Sequence, residues 1–278
     1  MIRVRNILHP SDLSEASEIA FAHALRVALT AKARLSMLHI SPDPHSASHR
    51  FPGVRETLVR WGVLPADCDK DAVTGLGIQV RKIVQRDRDP APSVLRFLSK
   101  HPADLIVMAT SQQPGRVGWL RHSVSEPIAR GAGQMTLFVP HGVEGFVGCK
   151  DGSVTLRRVL LPVDEDPSPR RATEMAVRTV RGLGCAGAAF TLLHVGNKEA
   201  FPPLEQPRDA TGEWKTVVRS GDVVEEILRA AEETQSDLLV MTTAGRQGIL
   251  DALRGTTTEQ VLRRVRCPLL AVPASDDD

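Results

Sequence analysis

The chain has 278 residues, which is enough for two domains of ordinary size. Its 24% charged and 42% apolar residues are typical of a soluble globular protein, and a net charge of +2 does not suggest a nucleic-acid partner. The longest apolar runs fall short of the roughly 18 residues of a membrane span, and the N-terminal stretch turns polar too early for a signal peptide, so we expect a cytoplasmic protein without a membrane partner.

Short apolar runs, partly β-branched, predict buried parallel strands with helices between them. In chain order we expect strands near 4–9, 34–40, 78–84, 104–109 and 135–139, then near 157–163, 188–195, 214–219, 237–242 and 268–272. Small and apolar residues at steps of three and four predict a helix after the first strand of each set. The alternation predicts an α/β fold with two tandem open-sheet domains, each a five-stranded parallel sheet with helices on both faces.

The two sets of strands are two copies of one pattern. Four segments recur in the same order: Asn6–Asp12 as Val159–Asp164, Leu35–Ile40 as Phe190–Val195, Asp104–Met108 as Asp237–Met241, and Met135–Pro140 as Pro268–Pro273. The difference in residue number between matching positions drops from 155 to 133 after the second match. This drop predicts an insertion of about 22 residues in the first copy, between Ser41 and Gln79. We therefore place domains at 1–141 and 156–275, joined by the linker His141–Thr155 with its four glycines.

Two features follow strand ends, where open parallel sheets bind ligands. Asp12 and Asp164 each follow the first strand of their copy, and such a carboxylate either hydrogen-bonds the base or ribose of a ligand or caps the next helix. After the fourth strand of the second copy, Gly245 and Gly255–Thr258 combine backbone amides that can approach a ligand with three hydroxyls. This loop is either a phosphate cradle or an ordinary glycine-containing loop capped by threonines.

These residues resemble the signature of the universal stress protein family, which has an aspartate after strand one and a Gly-x2-Gly-x9-Gly-Ser/Thr loop after strand four. The second copy reads Thr242-x2-Gly245-x9-Gly255-Thr256, so the spacing is intact and only the first glycine is replaced. The resemblance extends over nearly the whole chain apart from the linker and the first-copy insertion. It implies a regulatory protein of stress survival that binds ATP or another adenine nucleotide, mainly in the second copy.

The resemblance also implies roles for individual residues of the second copy. Asp164 would hold the adenine or ribose, and the backbone of Val195 would face the adenine. The side chain of Thr242 would narrow the pocket. The remaining positions implied are Pro162 and Val163 beside the base, Met241 at the strand end, and Gly245, Gly255, Thr256, Thr257 and Thr258 around the phosphates.

In the first copy the same loop reads Ala109-x2-Gln112-x9-His122-Ser123, so side chains stand where glycines would meet phosphate. We expect weaker triphosphate binding there, or none. The only first-copy positions carried over are Asp12, Ile40 and Ser123.

We expect no catalytic residues, because the chain has neither a Gly-x4-Gly-Lys-Ser/Thr loop nor a Gly-x-Ser-x-Gly elbow, and therefore no enzyme. Two other functions stay open. One is an interaction module that no longer uses nucleotide, with the first copy and its insertion as partner surface. The other is a slow ATPase or other transferase.

Three further expectations concern histidines, metals and partners. His39 and His194 end the second strand of each copy, where an imidazole hydrogen-bonded to backbone fits better than a catalytic one. The pair His45 and His49 lies in a stretch typical of a loop, so we expect no metal site. By resemblance, the last strands of the two copies would pair into a pseudo-dimer within one chain, and a homodimer of two chains stays open.

Overall fold

The computed structural model describes residues 4–43, 50–69, 71–110, 125–204, 207, 211–243 and 256–274. The chain divides into two units, Met1–Val154 and Thr155–Asp278, here called unit 1 and unit 2. Unit 1 contains the first sequence copy and unit 2 the second. Across the described ranges, none of the helices has the length and apolar character to cross a membrane.

Unit 1 is built on a parallel sheet with the order β3-β2-β1-β4-β5. Its strands are β1 (Asn6–Pro10), β2 (Arg34–Ser41), β3 (Gln79–Arg86), β4 (Leu105–Thr110) and β5 (Met135–Pro140). Its described helices are α1 (Glu15–Ala31), α2 (Val54–Arg60), α3 (Ala72–Gly75), α4 (Pro90–Lys100) and α5 (Ser125–Ala132). Every residue of β5 is buried, whereas the edge strand β3 contains only half-buried and exposed residues.

Unit 2 repeats this topology with the order β8-β7-β6-β9-β10. Its strands are β6 (Arg158–Pro162), β7 (Ala189–Val195), β8 (Trp214–Arg219), β9 (Leu238–Thr243) and β10 (Leu269–Pro273). Its described helices are α6 (Arg170–Gly182), α7 (Val223–Glu233) and α8 (Thr257–Leu262), with a 3-10 turn at Lys198–Ala200. The predicted fold class is confirmed, and every strand lies within two residues of its expected bounds.

Side-chain caps fix where three of the helices begin. Ser14 accepts a hydrogen bond from the backbone of α1, Asp222 from that of α7 and Thr256 from that of α8. Each oxygen satisfies one of the amide groups that a helix leaves without an internal partner in its first turn. The caps therefore hold the turns that follow β1 and β8 in defined positions, and they fix the first turn of α8.

The segment that we expected to link the copies packs closely on unit 1. Phe146 and Val147 are both 1% exposed. Their backbone N–H groups donate to Nε2 of the buried His23 on α1, over 3.1 and 3.2 Å. The sequence predicted that His141–Thr155 joins the two copies, and the structure adds that two apolar residues and one histidine hold its centre on α1.

The first-copy insertion packs on the same segment. The indole N–H of Trp61, at the end of α2, donates to the carbonyl oxygen of Cys149 over 3.1 Å. Gly152 has a φ of +67°, and a Cβ there would lie 2.5 Å from the Trp61 ring, so only glycine fits this approach. Other apolar side chains of the insertion are also buried: Phe51, Val54, Leu58 and Leu64.

Candidate functional site

A cavity of about 250 Å³ opens in unit 2 at the carboxyl ends of β6, β7 and β9. The strand order reverses between β6 and β9, because β7 and β8 lie on one side of β6 while β9 and β10 lie on the other. Ligands of open parallel sheets bind at such a point, since the loops on its two sides diverge and leave a crevice.

The cavity brings together most of the residues that the sequence singled out in the second copy. Its lining includes Pro162, Val163, Asp164, Val195, Met241, Thr242, Thr256, Thr257 and Thr258. Gly245 and Gly255 lie outside the described residues, as do Gln112, His122 and Ser123 of the first copy and the pair His45 and His49.

Six further residues line the cavity that the sequence reasoning did not name: Asp166, Pro167, Leu193, Val223, Ile227 and Thr243. The sequence could have identified Leu193 as a lining residue, because it lies two residues before Val195 and therefore on the same face of β7. Val223 and Ile227 lie four apart on α7. The helical period shows that they share a face, but only the packing of α7 shows that this face turns toward the cavity.

The cavity has an apolar half and a hydroxyl half. Val163, Leu193, Ile227 and Met241 are at most 5% exposed and line the apolar half, together with Val223, which is 42% exposed. Threonines from the end of β9 and the start of α8 supply the hydroxyls: Thr242, Thr243, Thr256, Thr257 and Thr258. An apolar wall with a few placed polar groups is the usual build of a small-molecule site.

The residue just before the strand-one aspartate is held in the same way in both units. In unit 1, the N–H of Ser11 donates to the backbone oxygen of Leu38 over 2.9 Å, and its own oxygen accepts from Nδ1 of His39 over 2.7 Å. In unit 2, Val163 makes the matching bonds of 2.8 and 3.1 Å, the second with His194. The expectation of backbone-bound imidazoles is confirmed, and these bonds place the two aspartates alike.

The two aspartates differ in what surrounds their carboxyl groups. Oδ1 of Asp12 accepts from the backbone N–H of Ser14, over 3.0 Å, and from the hydroxyls of Ser14 and Ser17. Burial raises the pKa of this carboxyl, but the hydrogen bonds from Ser14 and Ser17 outweigh it, and the pKa lies below its ordinary value. The carboxyl of Asp12 is thus engaged by residues at the start of α1. This arrangement corresponds to helix capping, one of the two roles that the sequence left open for this aspartate.

Asp164 is exposed, and its carboxyl accepts the N–H of the next residue, Glu165, over 2.9 Å. The following helix, α6, begins six residues later at Arg170, with no side-chain cap. Asp164 therefore lies on the cavity without the serine hydroxyls that surround Asp12, and its carboxylate is accessible to a ligand.

The two helices that border the cavity are joined by an ion pair. Glu225 of α7 receives two hydrogen bonds from Arg264, which follows α8, and the longer of them measures 2.8 Å. The guanidinium hydrogen bonds lower the pKa of Glu225 from its ordinary value. A fork-to-fork pair of this kind fixes direction as well as distance, so it ties the end of α8 to the first turn of α7.

In unit 1, Asp12 and Ile40 are the described counterparts of Asp164 and Val195. Ile40 lies at the end of β2, in register with Gln85 of β3. The described residues of the whole chain contain no group of three or more histidine, cysteine, aspartate or glutamate side chains placed to hold a metal ion.

The fold defines a tandem α/β protein with a cavity at the strand switch point of unit 2. The family model described as the universal stress protein family matches residues 3–140 and 204–273. The chain belongs to the universal stress protein family, which confirms the resemblance seen in the sequence.

Individual relatives agree with that membership. A universal stress protein of Methanocaldococcus jannaschii is 23% identical over 145 residues, which cover 44% of this chain and 85% of the relative. Two solved structures share the fold: a universal stress protein from Archaeoglobus fulgidus (TM-score 0.64, 20% identity, 98% of this chain and 97% of that chain) and a putative universal stress protein from Pseudomonas aeruginosa (TM-score 0.63, 17% identity, 98% and 94%).

Proposed function

We propose that this chain is a stress-response regulatory protein that binds ATP or another adenine nucleotide in the cleft of unit 2. The observation that carries the proposal is the convergence, on one cavity, of an apolar wall, an accessible carboxylate at Asp164 and the threonines of β9 and α8. A flat apolar base suits the wall, a carboxylate accepts hydrogen bonds from ribose hydroxyls or from an adenine amino group, and hydroxyls donate to phosphate oxygens.

The matching aspartate of unit 1 provides a matched control. In the proposed site Asp164→Ala removes a ligand acceptor, so nucleotide affinity falls by about tenfold or more, which corresponds to the loss of one good hydrogen bond. Asp12→Ala removes a carboxylate at the same place in the fold that is already engaged by Ser14 and Ser17. Its effect falls on the stability of unit 1 and leaves the affinity of unit 2 unchanged.

Two measurements test the proposal. The purified protein is denatured and any released nucleotide is identified by mass, and the nucleotide-free protein is then titrated with ATP in a calorimeter. We expect one dominant adenine-nucleotide site per chain. Two equally tight sites would contradict the assignment to unit 2, and equal losses in Asp12→Ala and Asp164→Ala would contradict the role of Asp164.

The alternatives left open by the sequence make different predictions. An interaction module would use the first-copy insertion as a partner surface, but its apolar side chains Phe51, Leu58 and Trp61 are buried within unit 1. A slow ATPase would release inorganic phosphate from ATP at a rate that scales with protein concentration, and that assay separates it from the binding protein proposed here.

A further inference from the structure

One hydroxyl beside the cleft of unit 2 has no partner in the part of the chain that the structure describes. Oγ1 of Thr242 is shielded from solvent and makes no hydrogen bond there, although Thr242 lines the cavity. A buried hydroxyl without a partner costs folding free energy, because it has lost its hydrogen bonds to water. Such a group in a native fold needs a reason.

The sheet does not supply that reason. Thr242 lies in β9, in register with Val272 of β10, and its counterpart at the same place in β4 of unit 1 is Ala109. The family pattern has a glycine at this position. Since the same strand is formed with alanine in unit 1, the fold needs no hydroxyl here.

The position of Thr242 in the cleft indicates what kind of group its hydroxyl binds. The apolar lining comes from β6, β7 and α7 together with Met241, whereas the threonines come from the end of β9 and the start of α8. Thr242 belongs to the hydroxyl half. A hydroxyl donates a stronger hydrogen bond to a charged oxygen than to a neutral one, so an anionic group is the partner that best offsets its burial.

We propose that Thr242 is a specificity-determining residue whose hydroxyl binds a phosphate oxygen of the ligand, so that the cleft selects phosphorylated adenine compounds over adenosine. This inference rests on the proposed function and goes beyond it, because it assigns selection for phosphate to a side chain that the family pattern lacks. It also predicts a conflict between stability and binding at this one position.

The test replaces the hydroxyl with a methyl group of the same shape. Thr242→Val lowers the affinity for AMP and ATP by about tenfold, in line with one charge-assisted hydrogen bond. It leaves the affinity for adenosine unchanged, and it leaves the melting temperature of the ligand-free protein unchanged or raised. Affinities are measured by competition against a fluorescent adenine nucleotide.

Two variants complete the experiment. Thr242→Ser retains the hydroxyl and keeps AMP affinity within about threefold of the native protein. Thr110→Val is the matched control in unit 1, because Oγ1 of Thr110 is also buried and without a partner among the described residues, at the end of the matching strand. It leaves nucleotide affinity unchanged, so a loss confined to Thr242→Val reports on the cleft.

The outcomes separate this inference from the proposed function. If the native protein binds none of the adenine compounds, the proposed function fails and the role of Thr242 fails with it. If the native protein binds AMP and Thr242→Val binds it equally well, the function stands and the inference is overturned. An equal loss for adenosine and AMP, or a lower melting temperature of the ligand-free variant, also overturns it, because the hydroxyl would then serve the nucleoside or the fold.

Discussion

Unit 1 contains two histidines whose charged forms are disfavoured by burial. His9 and His23 are both fully buried, and burial lowers the pKa of each from 6.5 to about 4, against smaller opposing effects of backbone hydrogen bonds. The ring of His23 donates from Nδ1 to the oxygen of Ile19 over 2.8 Å and accepts two N–H groups at Nε2. Only a neutral imidazole has both the donor and the acceptor that these bonds require.

This arrangement predicts that unit 1 loses stability in mild acid. Because the folded-state pKa lies below the unfolded value, the unfolded chain binds protons first, so the stability is present above pH 6.5 and is lost as the pH falls toward 4. From pH 7 to pH 5, each histidine lowers the free energy of unfolding by about 2 kcal/mol, or about 4 kcal/mol for the pair. Most carboxyl groups titrate below this window.

Urea unfolding at pH 7, 6 and 5 measures this loss. In a Trp214→Phe background the remaining tryptophans, at positions 61 and 119, both belong to unit 1, so their fluorescence follows that unit. His23→Gln is expected to destabilise unit 1 by about 1 kcal/mol at pH 7 and to remove about half of the pH dependence. An unfolding free energy that stays constant between pH 7 and pH 5 would refute the reasoning.

Two further predictions concern stability alone. Asp12→Ala lowers the unfolding free energy of unit 1 by about 1–2 kcal/mol, because it removes the hydrogen bonds at the start of α1. Asp164→Ala lowers the unfolding free energy of unit 2 by less than about 0.5 kcal/mol. Equal losses for the two variants in urea titrations would contradict the difference in the surroundings of the two aspartates. Gly152→Ala lowers the free energy of unfolding by about 2 kcal/mol or more, since its Cβ would meet the Trp61 ring at 2.5 Å. Gly142→Ala lowers it by only about 1 kcal/mol, because Gly142 also has a positive φ but nothing lies within 4 Å of its Cβ position. Thermal melts that show the reverse order would exclude the steric explanation.

The strands were predictable because local composition determines them. Most are runs of apolar residues buried on both faces of a parallel sheet, and the internal repeat gave two independent observations of every strand, including the more exposed edge strands β3 and β8. The cleft followed from the same pattern, since parallel strands end at one edge and the residues after them meet there. That is why residues as distant in sequence as Pro162 and Thr258 could be assigned to one site.

The packing of the inter-copy segment was not predictable in the same way. Its glycines are visible in the sequence, but the groups that hold it lie far away in the chain, on α1 and at the end of α2. His23 and Trp61 carry no local sign of these contacts. The orientation of α7 over the cleft is a similar case, because a helical stripe shows which residues share a face and leaves the partner of that face open.

The different surroundings of the two aspartates lead us to expect unequal ligand binding in the two units, for a reason that is independent of the glycine loops. Oδ1 of Asp12 already accepts hydrogen bonds from Ser14 and Ser17, which leaves that oxygen little capacity for a ligand. A nucleotide that took their place on Oδ1 would gain little free energy, because one satisfied acceptor would be traded for another. Asp164 is exposed and its Oδ1 accepts only the backbone N–H of Glu165 among the described residues, so a ligand that binds the other oxygen replaces water there. Restoring glycines at Gln112 and His122 should therefore leave unit 1 about tenfold or more weaker than unit 2, and ATP titration of that double variant would reveal equal affinities if the glycines alone decided binding.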